Sequence, residues 1–150
     1  MKSETPAARL KRFIGKFNPA IGAAARSALT QLRALLPPAR EMVYDNYNAL
    51  VIGFAATDRP SEAILSIAVF PRWVTLCFLQ GAKLADPDKL LQGSGNQVRH
   101  LRLENARTLD APAVRKLIAR ALAATPKPFD RSAPRQLIIK SISAQQRPRR

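Results

Sequence analysis

"EAILSIAVFPRWVTLCFL", Glu62 to Leu79, decides the fold. Two runs rich in branched and aromatic residues flank Pro71-Arg72, and each is too short for an ordinary helix. They predict two antiparallel strands joined by a tight hairpin at Pro71-Arg72. Upstream, "NALVIGFAA" (Asn48 to Ala56) has the same character and is set off by the turn residues Asp58, Arg59 and Pro60. Apolar residues occupy both faces of each run, so the sheet is expected to be covered or curled. Downstream, "QVRHLRL" (Gln97 to Leu103) alternates and reads as a fourth strand. On it Val98, His100 and Arg102 share one face, and Arg99, Leu101 and Leu103 the other.

Around this sheet the period changes to that of helices. In "TPAARLKRFIGKF" (Thr5 to Phe17), Leu10, Phe13, Ile14 and Phe17 fall on one stripe, with Thr5 as N-cap and Pro6 in the first turn. Arg9, Lys11, Arg12 and Lys16 take the other positions. The segment reads as a docking helix with a solvated basic face, with a transit peptide or membrane-surface helix as the alternative. "NPAIGAAARSALTQLRALLPP" (Asn18 to Pro38) gives the clearest helix. Asn18 caps it, Pro19 opens it, and Ile21, Ala25, Ala28, Leu29, Leu32, Leu35 and Leu36 form its stripe, leaving Arg26 and Arg33 on a solvated face. "LDAPAVRKLIARALAATP" (Leu109 to Pro126) is a third, with Asp110 near its start and Val114, Leu117, Ile118, Ala121 and Leu122 facing inward. Leu137 to Ile142 offer an edge strand. The fold expected is α+β, an antiparallel sheet of about 4–5 strands packed against amphipathic helices. Residues 1–125 make the domain, followed by a basic, proline-containing extension over 126–150. There Gln145 to Arg150 read as disordered, and truncation after Pro128 is expected to leave the fold intact.

At 150 residues and 47% hydrophobic composition the chain suits one domain with a real core. The single cysteine, Cys77, excludes an intrachain disulfide and a multi-cysteine zinc site, and reads as a buried inert thiol. No run is long and apolar enough for a membrane span, and no signal-peptide core is visible, so a reducing cytoplasm is the simplest compartment. The net charge of +15 is extreme and uneven. Residues 1–40 carry eight bases against one acid, and 126–150 seven against one, while 41–95 hold four bases and six acids. Such ends attract polyanions through long-range fields.

"LQGAKLADPDKLLQGSGNQVRH" (Leu79 to His100) raises the question of a metal or phosphate site. Asp86, Pro87, Asp88 and Lys89 read as the start of a short helix carrying Leu90 and Leu91, with Gly93 in the left-handed position that closes it. Carboxylates two positions apart do not face each other on a helix, which weakens a metal or acid–base pair. "GSGN" followed by Arg99, His100 and Arg102 is a weak anion-site signal, since the Walker spacing is absent.

The order "NP…LR.LL", "AREMVY", a strand pair, "FLQGAKLADPDKLLQGSGNQVRHLRL" and a closing amphipathic helix resembles the YdhG-like family, bacterial domains of unknown function. The similarity runs from Phe13 to Leu122 and is most specific from Phe78-Leu79-Gln80-Gly81-Ala82 through Arg102. The resemblance implies a compact α+β domain and no established activity. Some relatives carry a frataxin-like iron-chaperone label, a role that calls for clustered exposed carboxylates. Ten acids against twenty-five bases, with no acidic run, depart from that need.

No nucleophile elbow, zincin motif or dinucleotide fingerprint is present, so catalysis, a cofactor and a resident metal are not expected. Glu41, Tyr44 and Asp45, with Tyr47, stand after the Pro-Pro break where a cleft could form. The reading that follows is a non-enzymatic module for a small ligand or a protein. Its cleft would be lined by Tyr44, Tyr47 and Trp73, with Arg99, His100 and Arg102 at the mouth to take an anionic apolar molecule. The alternative is non-specific nucleic-acid binding through the basic helices and tail, with Arg131, Arg135, Lys140, Arg147, Arg149 and Arg150 as contacts.

Overall fold

The hairpin at Pro71-Arg72 forms as its sequence dictates: Phe70 N–H donates to the Trp73 carbonyl at 2.9 Å. It joins β3 (Ala63–Val69) to β4 (Val74–Phe78). The computed structural model, which describes residues 4–150, extends this pair into a six-stranded sheet carrying three helices. The order is β5-β4-β3-β2-β1-β6, where β1 is Arg40–Asp45, β2 Leu50–Ala55, β5 Arg99–Arg102 and β6 Gln136–Ile142. Strands β1 to β5 form an antiparallel meander, but β6 runs parallel to β1. The sheet is therefore mixed, not purely antiparallel. The chain leaves β5, forms α3 (Pro112–Ala124), and crosses to the far edge before it can pair. A crossover of that kind delivers a parallel strand.

One side of the sheet carries Leu50, Ile52, Phe54, Leu65, Ile67, Val69, Val74, Leu76, Phe78 and Leu101, all buried. They pack with the inner stripes of α1 (Pro6–Ile14), α2 (Pro19–Leu35) and α3, so all three helices cover the same face. The opposite face carries small side chains at its centre: Gly53, Ser66, Ala68, Thr75 and Cys77. Thr5 caps α1 through its hydroxyl, 3.1 Å from Ala8 N. Asn18 occupies the N-cap position of α2, but its side chain makes no cap bond and Pro19 alone sets the start.

Four expectations are corrected. β1 was not expected as a strand, because "REMVYD" puts two acids where an alternating pattern wants apolar residues. Glu41 and Asp45 do face the helix layer, on either side of buried Val43, and both are buried with partners supplied from elsewhere in the chain. Arg33 is accordingly not on a solvated face; its guanidinium reaches Glu41 through Nε and Nη2 at 2.9 and 2.7 Å. Asp86 to Lys89 form a turn rather than a helix, closed by Lys89 N–H to the Asp86 carbonyl at 3.1 Å. Asp86 still acts as a cap, its carboxylate accepting from Leu90 and Leu91 N–H at 3.0 and 2.9 Å. Lys89 sits at φ 52°, and Gly93 at φ 126° serves the return of the chain to β5. Lastly, Gln145 to Arg150 are not disordered. They lie along the β1–β2 turn, and Arg149 is 5% exposed.

Candidate functional site

The tip of the β3–β4 hairpin projects two aromatic rings, Phe70 and Trp73, with centroids 5.6 Å apart. Arg102 lies opposite Thr75 in the register of β5 and places its guanidinium 4.5 Å from the Trp73 ring centroid. Trp73 nevertheless stays 38% exposed. Next to this tip, the chain after β6 continues as a strap. Ser143 N–H donates to the Asp45 carbonyl and Arg147 N–H to the Tyr47 carbonyl, both at 2.9 Å. That second bond sets the Arg147 guanidinium over the exposed Tyr47 ring, 5.7 Å from its centroid.

The strap is fixed by Asp45, whose side chain is wholly buried. Arg149 Nη2 donates to Oδ1 at 2.9 Å, and Lys16 Nζ to Oδ2 at 3.0 Å. Gln146 Nε2 donates to the Asp45 carbonyl at 2.9 Å, and Gln146 Oε1 accepts from Lys16 Nζ at 3.2 Å. Burial works against ionisation of Asp45, but the donors Gln146, Lys16 and Arg149 outweigh it and hold the carboxyl below its ordinary value. Arg149 also lies over the Phe17 ring and donates to the Asn46 carbonyl, so it is committed to structure and withdrawn from any polyanion.

Between tip and strap run two shallow grooves that share Pro71, Arg72 and Pro148. One, of about 570 Å³, is lined by Asn48, Phe70, Trp73 and Arg147; the other, of about 600 Å³, by Asn18, Ala20, Ile21 and Arg150. Arg72, Arg102, Arg147 and Arg150 have no carboxylate partner among the described residues. Arg150 also donates through Nε to the Lys16 carbonyl at 3.2 Å, and Arg102 stands outside the groove linings on the Trp73 ring. An open trough flanked by guanidinium groups without carboxylate partners and by exposed ring faces can hold an extended anion that carries flat rings.

Of the cleft expected from sequence, the structure brings together Trp73 and Arg102, with Tyr47 nearby through Arg147. Tyr44 is half-buried on the sheet face away from the helices, and burial pushes its hydroxyl pKa up. Arg99 folds back on the Gly95 and Val98 carbonyls at 2.5 and 2.9 Å, so "GSGN" holds its own arginine. His100 pairs with Cys77 in register and with Gln92 through two backbone bonds. Cys77 is half-buried rather than fully buried, and burial pushes its thiol pKa up, against a hydrogen bond with Ser66. Glu41 and Asp45 lie at opposite ends of β1 and form no common cleft with Tyr44. In the tail, Arg135 stands 3.7 Å from Glu41, while Arg131 and Lys140 are exposed away from the grooves' linings. Sequence reasoning missed Phe70, Arg72, Asn48 and Pro148. Arg72 had one available signal: a base at the tip of a two-residue hairpin must project outward.

Among the described residues no three His, Cys, Asp or Glu side chains converge as a metal-holding group, and no helix is long and apolar enough to cross a membrane. Searches of family models, curated proteins and solved structures find no match to this chain.

Proposed function

We propose that the protein is a YdhG-like binding module that holds single-stranded nucleic acid, without reading its sequence, in the trough at the β3–β4 hairpin. The observation that carries this reading is the interleaving of unpaired arginines with exposed aromatic rings: Arg102 on Trp73, Arg147 on Tyr47, and Arg72 at their junction. A guanidinium stacked on a ring keeps its edge donors free for phosphate, and the exposed ring accepts an unstacked base. Duplex bases offer no free faces, which favours a single strand. The grooves are open and shallow, whereas small-ligand sites bury most of their ligand, so an extended chain fits this surface better than a compact molecule. The guanidinium groups and ring faces here meet phosphates and base faces rather than base edges, so affinity should be sequence-blind.

Trp73 is the only tryptophan and therefore reports on the site directly. Titration with a short oligothymidylate or oligouridylate should quench its fluorescence and saturate. Replacing Tyr47 by Leu or Arg147 by Ala should weaken binding while the melting temperature stays close to the parent's. Affinity unchanged from the parent in both variants, or a preference for duplex over single strand, would defeat the proposal.

A further inference from the structure

At the opposite end of β3 and β4 from the hairpin lies a second cavity, of about 380 Å³, within the range that accommodates small ligands. Its walls come from five places in the chain. Glu62 ends the 3-10 turn before β3, Phe78 ends β4, Lys83 and Leu84 follow it, Gln97 precedes β5, and Ala121 and Ala124 lie in the last turns of α3. A bulge puts Ile64 in this wall: Phe54 pairs with Leu65 and Ala55 with Ala63, leaving Ile64 as the extra residue. Bulges re-aim side chains in this way beside binding sites. Alanine at 121 and 124 leaves the space that a larger residue would fill.

The walls are tied. Leu79 N–H donates to the Ile64 carbonyl at 3.0 Å, and Ala82 N–H to the Gln97 carbonyl at 2.9 Å. Arg120 on α3 donates to the Ala85 carbonyl at 3.2 Å. Gly81 is pressed so closely on β5 that a Cβ there would stand 2.5 Å from the Arg99 Cβ. Lys83 is thus held at the lip by a turn that has little freedom to move.

Two opposite charges line this cavity, Glu62 and Lys83, and they do not pair. Neither has an ion-pair partner among the described residues, and one Glu62 oxygen accepts from the Thr57 hydroxyl. Below them the floor is apolar: Phe78 is fully buried, and Ile64 and Leu84 half-buried. A ligand with one charge would satisfy one of these groups and meet repulsion from the other. A zwitterion with an apolar body satisfies all three parts.

We infer that this cavity binds an apolar α-amino acid, its carboxylate toward Lys83, its ammonium toward Glu62 and its side chain on Ile64 and Leu84, over the buried Phe78. The site is independent of the hairpin trough.

The test is calorimetry on the full-length protein with L-phenylalanine and L-leucine as probes, set against 3-phenylpropionate and 2-phenylethylamine, which each keep one charge. The amino acid should bind about tenfold more tightly than either single-charge analogue, the effect of one hydrogen bond to a charged group. Glu62→Gln should bring L-phenylalanine down to the level of 3-phenylpropionate, and Lys83→Gln to that of 2-phenylethylamine. Ala124→Trp, at an exposed position on the lip, should abolish amino-acid binding and leave the affinity for a labelled oligothymidylate, read by anisotropy, unchanged. Equal binding of all the probes, no saturable binding of either amino acid, or full binding in Ala124→Trp would overturn the inference. The analogue comparison uses the unmodified chain, so it stands even where a variant folds poorly.

Discussion

Asp45 and Arg149 are 104 positions apart in the chain and bonded at 2.9 Å in the fold, both side chains buried. Removing one member of such a pair leaves the other charged without compensation, at a cost of about 3–5 kcal/mol. The two members are not equivalent. Asp45 has a second cation in Lys16, whereas Asp45 is the one carboxylate beside Arg149 among the described residues. Urea denaturation should therefore show Asp45→Ala losing more stability than Arg149→Met. Equal losses would mean that Lys16 does not share the charge.

The same node sets an acid limit. The Asp45 carboxyl is held below its ordinary value of 3.8 by its donors, against the effect of burial. A carboxyl depressed on folding adds stability that is complete above the unfolded value, and is lost as pH falls through the folded one. Stability should thus be flat with respect to this group near neutrality and fall below pH 3.8, as Lys16 and Arg149 lose their counter-charge. Asp45→Asn should be less stable at neutral pH and show a shallower acid decline. A parallel decline in parent and variant would assign the acid transition to other carboxylates.

The tail follows from the same geometry. Composition alone suggests that residues after Pro128 are dispensable, since they are basic and broken by proline. Yet β6 pairs with β1 along its length, from Arg40 beside Gln136 to Asp45 beside Ile142, and half-buried Leu137 and Ile139 pack against the core. Deleting residues 129–150 should expose the β1 edge, leave the Asp45 side chain with Lys16 alone, and lower the thermal midpoint sharply. An unchanged midpoint would show that β6 and the strap only rest on the domain.

How far the sequence can be read is clear from these elements. The hairpin, the three helices and the stripe on each were legible, because periodicity and proline punctuation are local signals. β1 and the strap were not. Their evidence lies in pairings across the whole chain: Glu41 is explained by Arg33 and Arg135, Asp45 by Lys16 and Arg149. A buried acid read without its partner looks like a surface residue. In the site, Trp73 and Arg102 were named but their stacking was not, because adjacency of β4 and β5 fixes it. The expected Asp86 helix failed for a local reason: Lys89 enters the left-handed region and the chain turns instead.

That turn gives a test of its own. A non-glycine residue at positive φ is strained by roughly 1–2 kcal/mol. Lys89, at φ 52°, is exposed and has no ion-pair partner among the described residues. Lys89→Gly should therefore stabilise the protein, while Asp86→Ala, which strips both backbone N–H groups of their acceptor, should cost about 0.5–2 kcal/mol. Divalent metal should alter neither result in thermal melting. A metal-dependent rise in the parent that vanishes in Asp86→Ala would make this loop a ligand site.

The trough makes a quantitative claim about salt. Arg72, Arg147 and Arg150 line it and Arg102 stacks on Trp73 at its edge, none with a carboxylate partner among the described residues. Each phosphate neutralised on a single strand contributes about −0.7 to the slope of log affinity against log salt. Four contacts give a slope near −3 by the same rule. Arg147→Ala combined with Arg72→Ala should reduce its magnitude by about 1.4, because both side chains line the trough and neither supports the fold. Arg131→Ala with Lys140→Ala removes the same charge from exposed positions outside the grooves, and should leave the slope nearly unchanged. Anisotropy of a labelled oligothymidylate at several salt concentrations measures all three proteins. If the two double variants flatten the slope equally, binding depends on net charge alone and the trough has no special part in it. If only the trough pair flattens it, the rings and guanidinium groups at the hairpin are where the strand lies.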